Sequence, residues 1–392
     1  MSVLQLLAEL APIGVGRAGG YDRFAWTSAD AGCREWFTAA AQSRGLDVEL
    51  DRNGNLWAWL GANLPGKALV IGSHLDSVPN GGAFDGPLGL ASAFAALDAL
   101  ADFAPSRPIA IVAFADEEGA RFGVACAGSR LLTGSLDADT FRALKDVDGV
   151  TAGEAVATHG ITRIGHDEER LGRIGEYIEL HIEQGHLHTS VDTDGLDTPI
   201  GLATEIWPHG RWRFDLWGQQ NHAGTTQLDE RRDPMLDLAH LILDAREIAK
   251  YNGVLATVGK TLVSPGAVNA IPGLVRAWLD ARGPETAKVE RSVRELEESA
   301  GATAVLESLT ERTEFDAALT DALDTALGGD IPKLPSGAGH DAGVLALAGI
   351  PSAMILVRNP SGISHAPEEY ADDADVEAGV TALAAVIRSR AA

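Results

Sequence analysis

Five groups of side chains in this sequence carry nitrogen and oxygen donors at places where chemistry can be done. They are His74-Leu75-Asp76, Asp85 eleven residues beyond the histidine, the run Asp116-Glu117-Glu118, His181 and His365. Taken singly, each has a plain explanation: a histidine near a strand end is commonly a hydrogen-bonded core or surface group, and Asp-Gly is commonly a turn. Five together are harder to dismiss. Imidazole and carboxylate donors without thiolate suit zinc, manganese, cobalt or nickel better than an all-oxygen magnesium site. Adjacent carboxylates on an extended segment point to opposite sides, so one of Glu117 and Glu118 can ligate a metal while its neighbour reaches over the open face. Metal-assisted hydrolysis requires that division of labour: the cation lowers the pKa of water towards about 7, and a nearby carboxylate takes and redelivers the proton. Asp76, two residues after His74, is the expected acceptor for the imidazole N–H.

The fold must gather these groups, and the apolar runs say how. From 30 to 45 apolar positions recur every three to four residues and Gly45 closes the run, which predicts a helix with its stop. An edge hairpin is expected around Asn53-Gly54. Then come an apolar run at 68–71, an Ala/Leu-rich helix at 87–103 and a second apolar run at 109–115. Strand, helix, strand at this spacing is a βαβ unit, which predicts an α/β fold with a mostly parallel sheet. Further buried strands are expected at 177–182 and 353–357. All five groups then leave the carboxyl edge of one sheet, where such folds build their sites.

Between 206 and 313 the rhythm changes. Residues 211–218 alternate, 234–250 are helical, 255–263 and 274–281 read as strands, 289–299 as a helix and 302–309 as a strand. The order βαββαβ is ferredoxin-like and complete in itself. It predicts an inserted α+β domain at 206–313 inside a discontinuous metal-binding catalytic domain made of 1–205 and 314–392.

Composition agrees with two cored domains: the chain has 392 residues, 45% of them hydrophobic and 22% charged, which excludes a disordered, collagen-like or coiled-coil protein. The formal net charge of −25 repels phosphate backbones and anionic lipid, so neither nucleic acid nor membrane is an expected partner. Cys33 and Cys126 cannot form a disulfide framework and read as buried thiols. No basic leader opens the chain and its apolar runs are far shorter than the roughly 18 residues of a membrane span, so a cytoplasmic location is expected. Two motifs fail on context. Gly14-Val15-Gly16-Arg17-Ala18-Gly19 has the glycines of a dinucleotide fingerprint but follows a helix-like segment instead of a strand, and Gly61 to Lys67 resembles a phosphate loop but precedes a strand and continues with Ala68.

The strings GSHLDSV, FDGPLGL, FADEEGARFG with GSRLLTG, ELHIEQG, NHAGTT, VNAIPG, SGAGHDA and GISHAPEE together resemble the amidase, hydantoinase and carbamoylase branch of the dinuclear metallopeptidase superfamily, which also includes aminoacylases. The resemblance runs from about residue 50 to residue 370, and HIEQG with SH-x-P-E separates this branch from general peptidases. It implies that Asp85 bridges two divalent metals, with His74 and Glu118 or His181 and His365 completing the shells, and that Glu117 is the general base. Gln184, His222, Asn269 and Arg282 are implied to hold substrate, the last three from the inserted domain. Arg282 suits a carboxylate by bidentate geometry, and His222 a developing oxyanion. The chain departs from the family pattern at Gln227-Leu228, where relatives typically carry Pro-Met.

The resemblance further implies hydrolysis of the ureido C–N bond of an N-carbamoyl L-amino acid, releasing ammonia, carbon dioxide and the amino acid. Allantoate amidohydrolase and β-ureidopropionase activities are the neighbouring alternatives. More distant ones are an aminoacylase or dipeptidase, and a non-catalytic binding protein on the same fold. A homodimer built through the inserted domain is expected, as is closure of the domains on a small ureido acid.

Overall fold

Unbroken apolar strands need cover on both faces, and Ala68–His74, Ile109–Phe114 and Ser352–Val357 are buried at every residue. The computed structural model describes residues 1–185 and 195–392, which divide into two units, Met1–Glu205 with Glu314–Ala392, and Ile206–Thr313. In the larger unit the three buried strands and Ile174–Ile182 form the parallel centre of a nine-stranded sheet, in the order Ile109–Phe114, Ala68–His74, Ile174–Ile182, Ser352–Val357. Both flanks are antiparallel. Leu56–Leu60 lies beside Ile109–Phe114 and turns back through Gly54, at φ +86°, to the edge strand Asp47–Leu50. On the other side Ile200–Ile206 pairs with Ser352–Val357.

The helix Pro87–Ala99 is apolar on every side because it is enclosed, by strands on one side and by the helices Val3–Leu10 and Asp373–Ala391 on the other. A Cβ at Gly89 would stand 2.3 Å from the Leu180 carbonyl oxygen, so glycine lets the helix lie against the strand that carries His181. The helix ends short of the predicted 103: Phe103 donates instead to the Leu100 carbonyl in a following turn. Between the strands Ile109–Phe114 and Ile174–Ile182 run four short helices, Ala127–Thr133, Ala138–Ala143, Ala152–Thr158 and Glu168–Arg173. The first three of them pack together, with Phe122 from the preceding loop, in an apolar cluster around Leu131, Phe141 and Val156.

The smaller unit is an antiparallel sheet of His209–Trp217, Leu255–Ser264, Leu274–Arg282 and Ala304–Thr310. Its spatial order is fourth, first, third, second, the ferredoxin-like arrangement. Alternation along the strands puts Trp212, Phe214, Leu216, Val275, Ala277 and Leu279 in one core with the helices Pro234–Asn252 and Thr286–Ala300. The opposite face carries Arg211, Arg213, Asp215, Arg276, Asp280 and Arg282. Gly14 to Gly19 follow the helix Val3–Leu10, and Gly61 to Lys67 form a turn between strands, so neither glycine motif has the strand-to-helix setting that binding phosphate needs. Among the described residues no helix is long and apolar enough to cross a membrane.

Candidate metal centre

His74 ends its strand, His181 is the penultimate residue of Ile174–Ile182, and Asp116 to Glu118 follow Ile109–Phe114, so the three sit side by side at one carboxyl edge. Asp85 reaches the same place from the loop before the helix Pro87–Ala99. Gly86 makes this possible: its φ is +84°, and a Cβ there would meet the His74 ring at 2.5 Å. His365 arrives from the loop after Ser352–Val357, itself in the left-handed region at φ +56°.

Asp85 lies at the middle. Its Oδ1 is 3.4 Å from His74 Nε2 and 3.1 Å from His181 Nε2, and its Oδ2 is 3.4 Å from His365 Nε2. Glu118 Oε2 stands 3.8 Å from the same His365 nitrogen. Among the described residues four donor groups have ligand atoms within 4.8 Å of one another: His74–Asp85–His181 and Asp85–Glu118–His365, which share Asp85, and beside them His74–Glu117–Glu118 and Glu179–His181–His340. The resemblance groups His74 with Glu118 and His181 with His365, and the structure brings His74 close to His181 as well as to Glu118. Neighbouring strands bring the two histidines together on Oδ1, with their rings stacked 5.8 Å apart, while His365 lies against the other carboxylate oxygen and beside Glu118.

These distances fit a cation. Donor atoms around a tetrahedral ion at about 2.1 Å stand about 3.4 Å apart. His181 Nε2 and Glu118 Oε1 are buried and make no hydrogen bond among the described residues, although His181 Nε2 is close to Asp85. Ligands turned towards cations leave such orphans, here one in each of the two groups that share Asp85. Electrostatics agree. Burial, with Asp341 and Glu118 nearby, pushes Glu117 well above the usual carboxylate range, and burial with Asp85 does the same to Glu118. Burial would also raise Asp85, but the His181 and His74 imidazoles outweigh it and hold its carboxyl well below. His74 is itself lifted well above its ordinary value, because Glu117, Asp85 and Asp76 overcome the effect of burial. Positive charge at the centre would relieve this crowding of carboxylates.

The ring nitrogens facing away from Asp85 are pinned by main chain: His74 Nδ1 to the Asp76 carbonyl at 3.0 Å and His181 Nδ1 to the Ile182 carbonyl at 2.9 Å. This corrects the expectation for Asp76. Its carboxylate is 3.8 Å from His74 Nδ1, and instead accepts from the main-chain N–H groups of Glu117 at 3.1 Å and Glu118 at 3.0 Å. The physical reason is the turn at Asp116, at φ +54°, which points two successive N–H groups at one buried carboxylate. That turn also means that the Glu117 and Glu118 segment is not extended. Glu117 Oε2 nevertheless lies 3.9 Å from His74 Nε2, beside the first donor group.

Gln184 donates to Asp85 Oδ2 at 2.8 Å and to Ser364 Oγ at 3.1 Å, which places it at the centre. Glu369 closes the string GISHAPEE, but the sequence assigns it no role. Its Oε1 accepts from the N–H groups of Phe84 and Asp85, both at 2.9 Å, and so fixes the Asp85 loop. Burial and Asp85 raise its pKa to about 7. The acidic run near the C-terminus reads as a solvated face, and only the fold shows that Glu369 turns inward.

His222 and Asn269 lie in the smaller unit, on neighbouring segments: Asn221–His222 pairs with Ala270–Ile271, and Ala223 N–H donates to the Asn269 carbonyl. His222 Nδ1 accepts from Gly224 N–H at 3.0 Å, so the neutral ring carries its proton on Nε2. Arg231 ties this loop by donating to the carbonyls of Ala223 and Thr226. Arg282 donates twice to Asp280, each bond 2.7 Å, and is held in plane on the polar face of the sheet.

A profile of peptidase family M20/M25/M40 matches residues 70–389. The N-carbamoyl-L-amino acid amidohydrolase of Geobacillus stearothermophilus is 34% identical, over 97% of this chain and 95% of its own length. The allantoate amidohydrolase of Bacillus subtilis is 31% identical over the same shares. The crystal structure of an amidase of the hydantoinase/carbamoylase family from Burkholderia vietnamiensis superposes with a TM-score of 0.89 at 31% identity, covering 99% of this chain and 96% of that one. A donor set that fits metal, a profile over most of the chain and relatives above 30% identity along nearly all of it lead to one conclusion: the chain belongs to peptidase family M20/M25/M40, metal-dependent hydrolases of amide bonds.

Proposed function

We propose that the chain is a dinuclear amidohydrolase that cleaves the ureido C–N bond of N-carbamoyl L-amino acids: with one water it yields the amino acid, carbon dioxide and ammonia. The observation that carries this reading is Asp85, whose two oxygens serve two donor groups, with Glu117 beside the first. His74, Asp85 and His181 would hold one divalent ion, and Asp85, Glu118 and His365 a second, with zinc, manganese, cobalt or nickel suited to this donor set. When bound, such ions polarise a carbonyl and acidify water. Glu117 takes the proton of the attacking water and returns it to the leaving nitrogen. Asp76 keeps Glu117 and Glu118 in place through their main-chain N–H groups, and Gln184 steadies Asp85. His222, donating from Nε2, and Asn269 serve the carbonyl oxygen as it gains charge. Arg282 reads the substrate carboxylate, with Asp280 fixing the plane of its guanidinium.

Allantoate presents the same ureido and carboxylate groups, and a relative of comparable identity carries that name. The deciding experiment is a panel of N-carbamoyl amino acids, allantoate, N-acetyl amino acids and dipeptides, assayed with each metal. Highest kcat/KM on an N-carbamoyl L-amino acid supports the reading; preference for allantoate, acetyl or peptide substrates replaces it. Arg282→Ala should lower kcat/KM sharply for the carbamoyl acid and scarcely for its amide, and equal losses would assign Arg282 to the fold. We also propose a two-fold homodimer through the smaller unit, supported by the exposed Leu236, Leu243 and Leu306 on its outer elements. Light scattering showing a monomer at all concentrations would contradict it.

A further inference from the structure

The mechanism above leaves one buried nucleophilic group beside the base unused. Cys126 begins the helix Ala127–Thr133 in the left-handed region, at φ +53°, with 6% of its surface exposed. Around it two chain segments are laced together: Cys126 N–H donates to the Glu117 carbonyl, Ala127 N–H to Asp116 at 2.9 Å and Gly128 N–H to Ala115 at 2.8 Å. The lacing brings the Cys126 thiol to 3.4 Å from Glu117 Oε1, to which it donates. The other oxygen, Oε2, is the one 3.9 Å from His74 Nε2. Burial and the nearby Glu117 and Asp341 push the thiol well above its ordinary pKa, so it remains a protonated donor.

We propose that Cys126 is a positioning residue for the general base: its S–H holds Oε1 of Glu117 and so turns Oε2 to the metal centre. The inference rests on Glu117 being the base. The thiol bonds to no residue of the two donor groups that share Asp85. It acts by choosing which carboxylate oxygen is held and by limiting rotation about the terminal bond, which otherwise leaves the two oxygens equivalent. A serine hydroxyl offers the same donor at this place and an alanine offers none.

The test has two readouts on the full chain with its metals. The first is the infrared S–H stretch, in a Cys33→Ala background that leaves Cys126 as the single thiol. The band is expected below the position of a free thiol and should move towards it in Glu117→Gln, where a weaker neutral acceptor replaces the carboxylate. A band at the free-thiol position, or one indifferent to Glu117→Gln, overturns the proposal. The second is steady-state kinetics, where Cys126→Ala should lower kcat by about tenfold or more, the worth of one hydrogen bond to a charged group, with KM within about twofold. Cys126→Ser should recover most of that loss. Unchanged kcat in Cys126→Ala, or equal impairment of two folded variants, also overturns it. If a variant fails to fold, the infrared band of the Cys33→Ala parent decides. That band also separates this inference from the functional reading: an enzyme idle on every ureido substrate would refute the latter, while the band would still show whether the thiol holds Glu117.

Discussion

Asp76→Asn distinguishes the role the sequence suggests for this residue from the one the structure gives it. The aspartate accepts from Glu117 N–H at 3.1 Å and Glu118 N–H at 3.0 Å, one oxygen to each. An asparagine keeps a single acceptor, so in either amide orientation one N–H faces an NH2 group. A hydrogen bond to a charged acceptor contributes about 1.5–3 kcal/mol, and a buried donor left unsatisfied costs a further 1–3. Allowing for partial relaxation, the loss should be about 3 kcal/mol. The His74 imidazole should be spared, because its Nδ1 bonds the Asp76 main-chain carbonyl, which the substitution does not remove. The assay is urea unfolding of the metal-free chain together with metal affinity and kcat. Expected are a stability loss of about 3 kcal/mol and a kcat loss exceeding the loss of metal affinity, since the Glu117 turn loosens while His74 stays. Stability unchanged within about 0.5 kcal/mol, with metal affinity reduced, would refute the reasoning and return the carboxylate to His74.

Three other outcomes follow from the same geometry. Glu117→Gln should lower turnover by about 10² or more with metal content nearly unchanged, and metal lost along with activity would make Glu117 a ligand. Glu369→Ala frees the Phe84 and Asp85 N–H groups and should weaken metal binding by about 10- to 100-fold in a calorimetric titration, whereas unaltered affinity would mean that the Asp85 loop holds itself. Burial, reinforced by Arg282, holds the His209 imidazole below its ordinary value; the unfolded chain then takes up this proton first, so stability should fall as pH drops below about 6.5, and an undiminished slope in His209→Gln would exclude this histidine as the source.

Much of this arrangement is legible in the sequence, for identifiable reasons. The strands Ala68–His74, Ile109–Phe114 and Ser352–Val357 are buried on both faces, so they stand out as unbroken apolar runs, and the alternation of Leu274–Arg282 marks a sheet with one covered face. His74 and Asp116 to Glu118 follow such runs immediately, which makes their position at the carboxyl edge readable. The strand Ile200–Ile206 is mixed in burial and antiparallel to its neighbour, and gives no such signal. The same holds for contacts set by single dihedrals. Positive φ at Asp116, Cys126 and His365 decides which atoms meet, and propensity says nothing about it. Hence Asp76 is assigned from its spacing to the histidine while its carboxylate serves the turn, and Cys126 reads as a core thiol although it touches Glu117. Glu369 sits in an acidic run that looks solvated, and its inward bond to the Asp85 loop spans 284 residues of sequence.

The central claim is two metals shared by one carboxylate, and counting ions tests it most directly. Equilibrium dialysis against zinc or manganese, followed by elemental analysis, should find two ions per chain in the unaltered protein. His365→Ala removes a ligand from the Asp85–Glu118–His365 group alone and should retain one. A single ion per chain in the unaltered protein, or two ions undiminished in His365→Ala, would contradict the account.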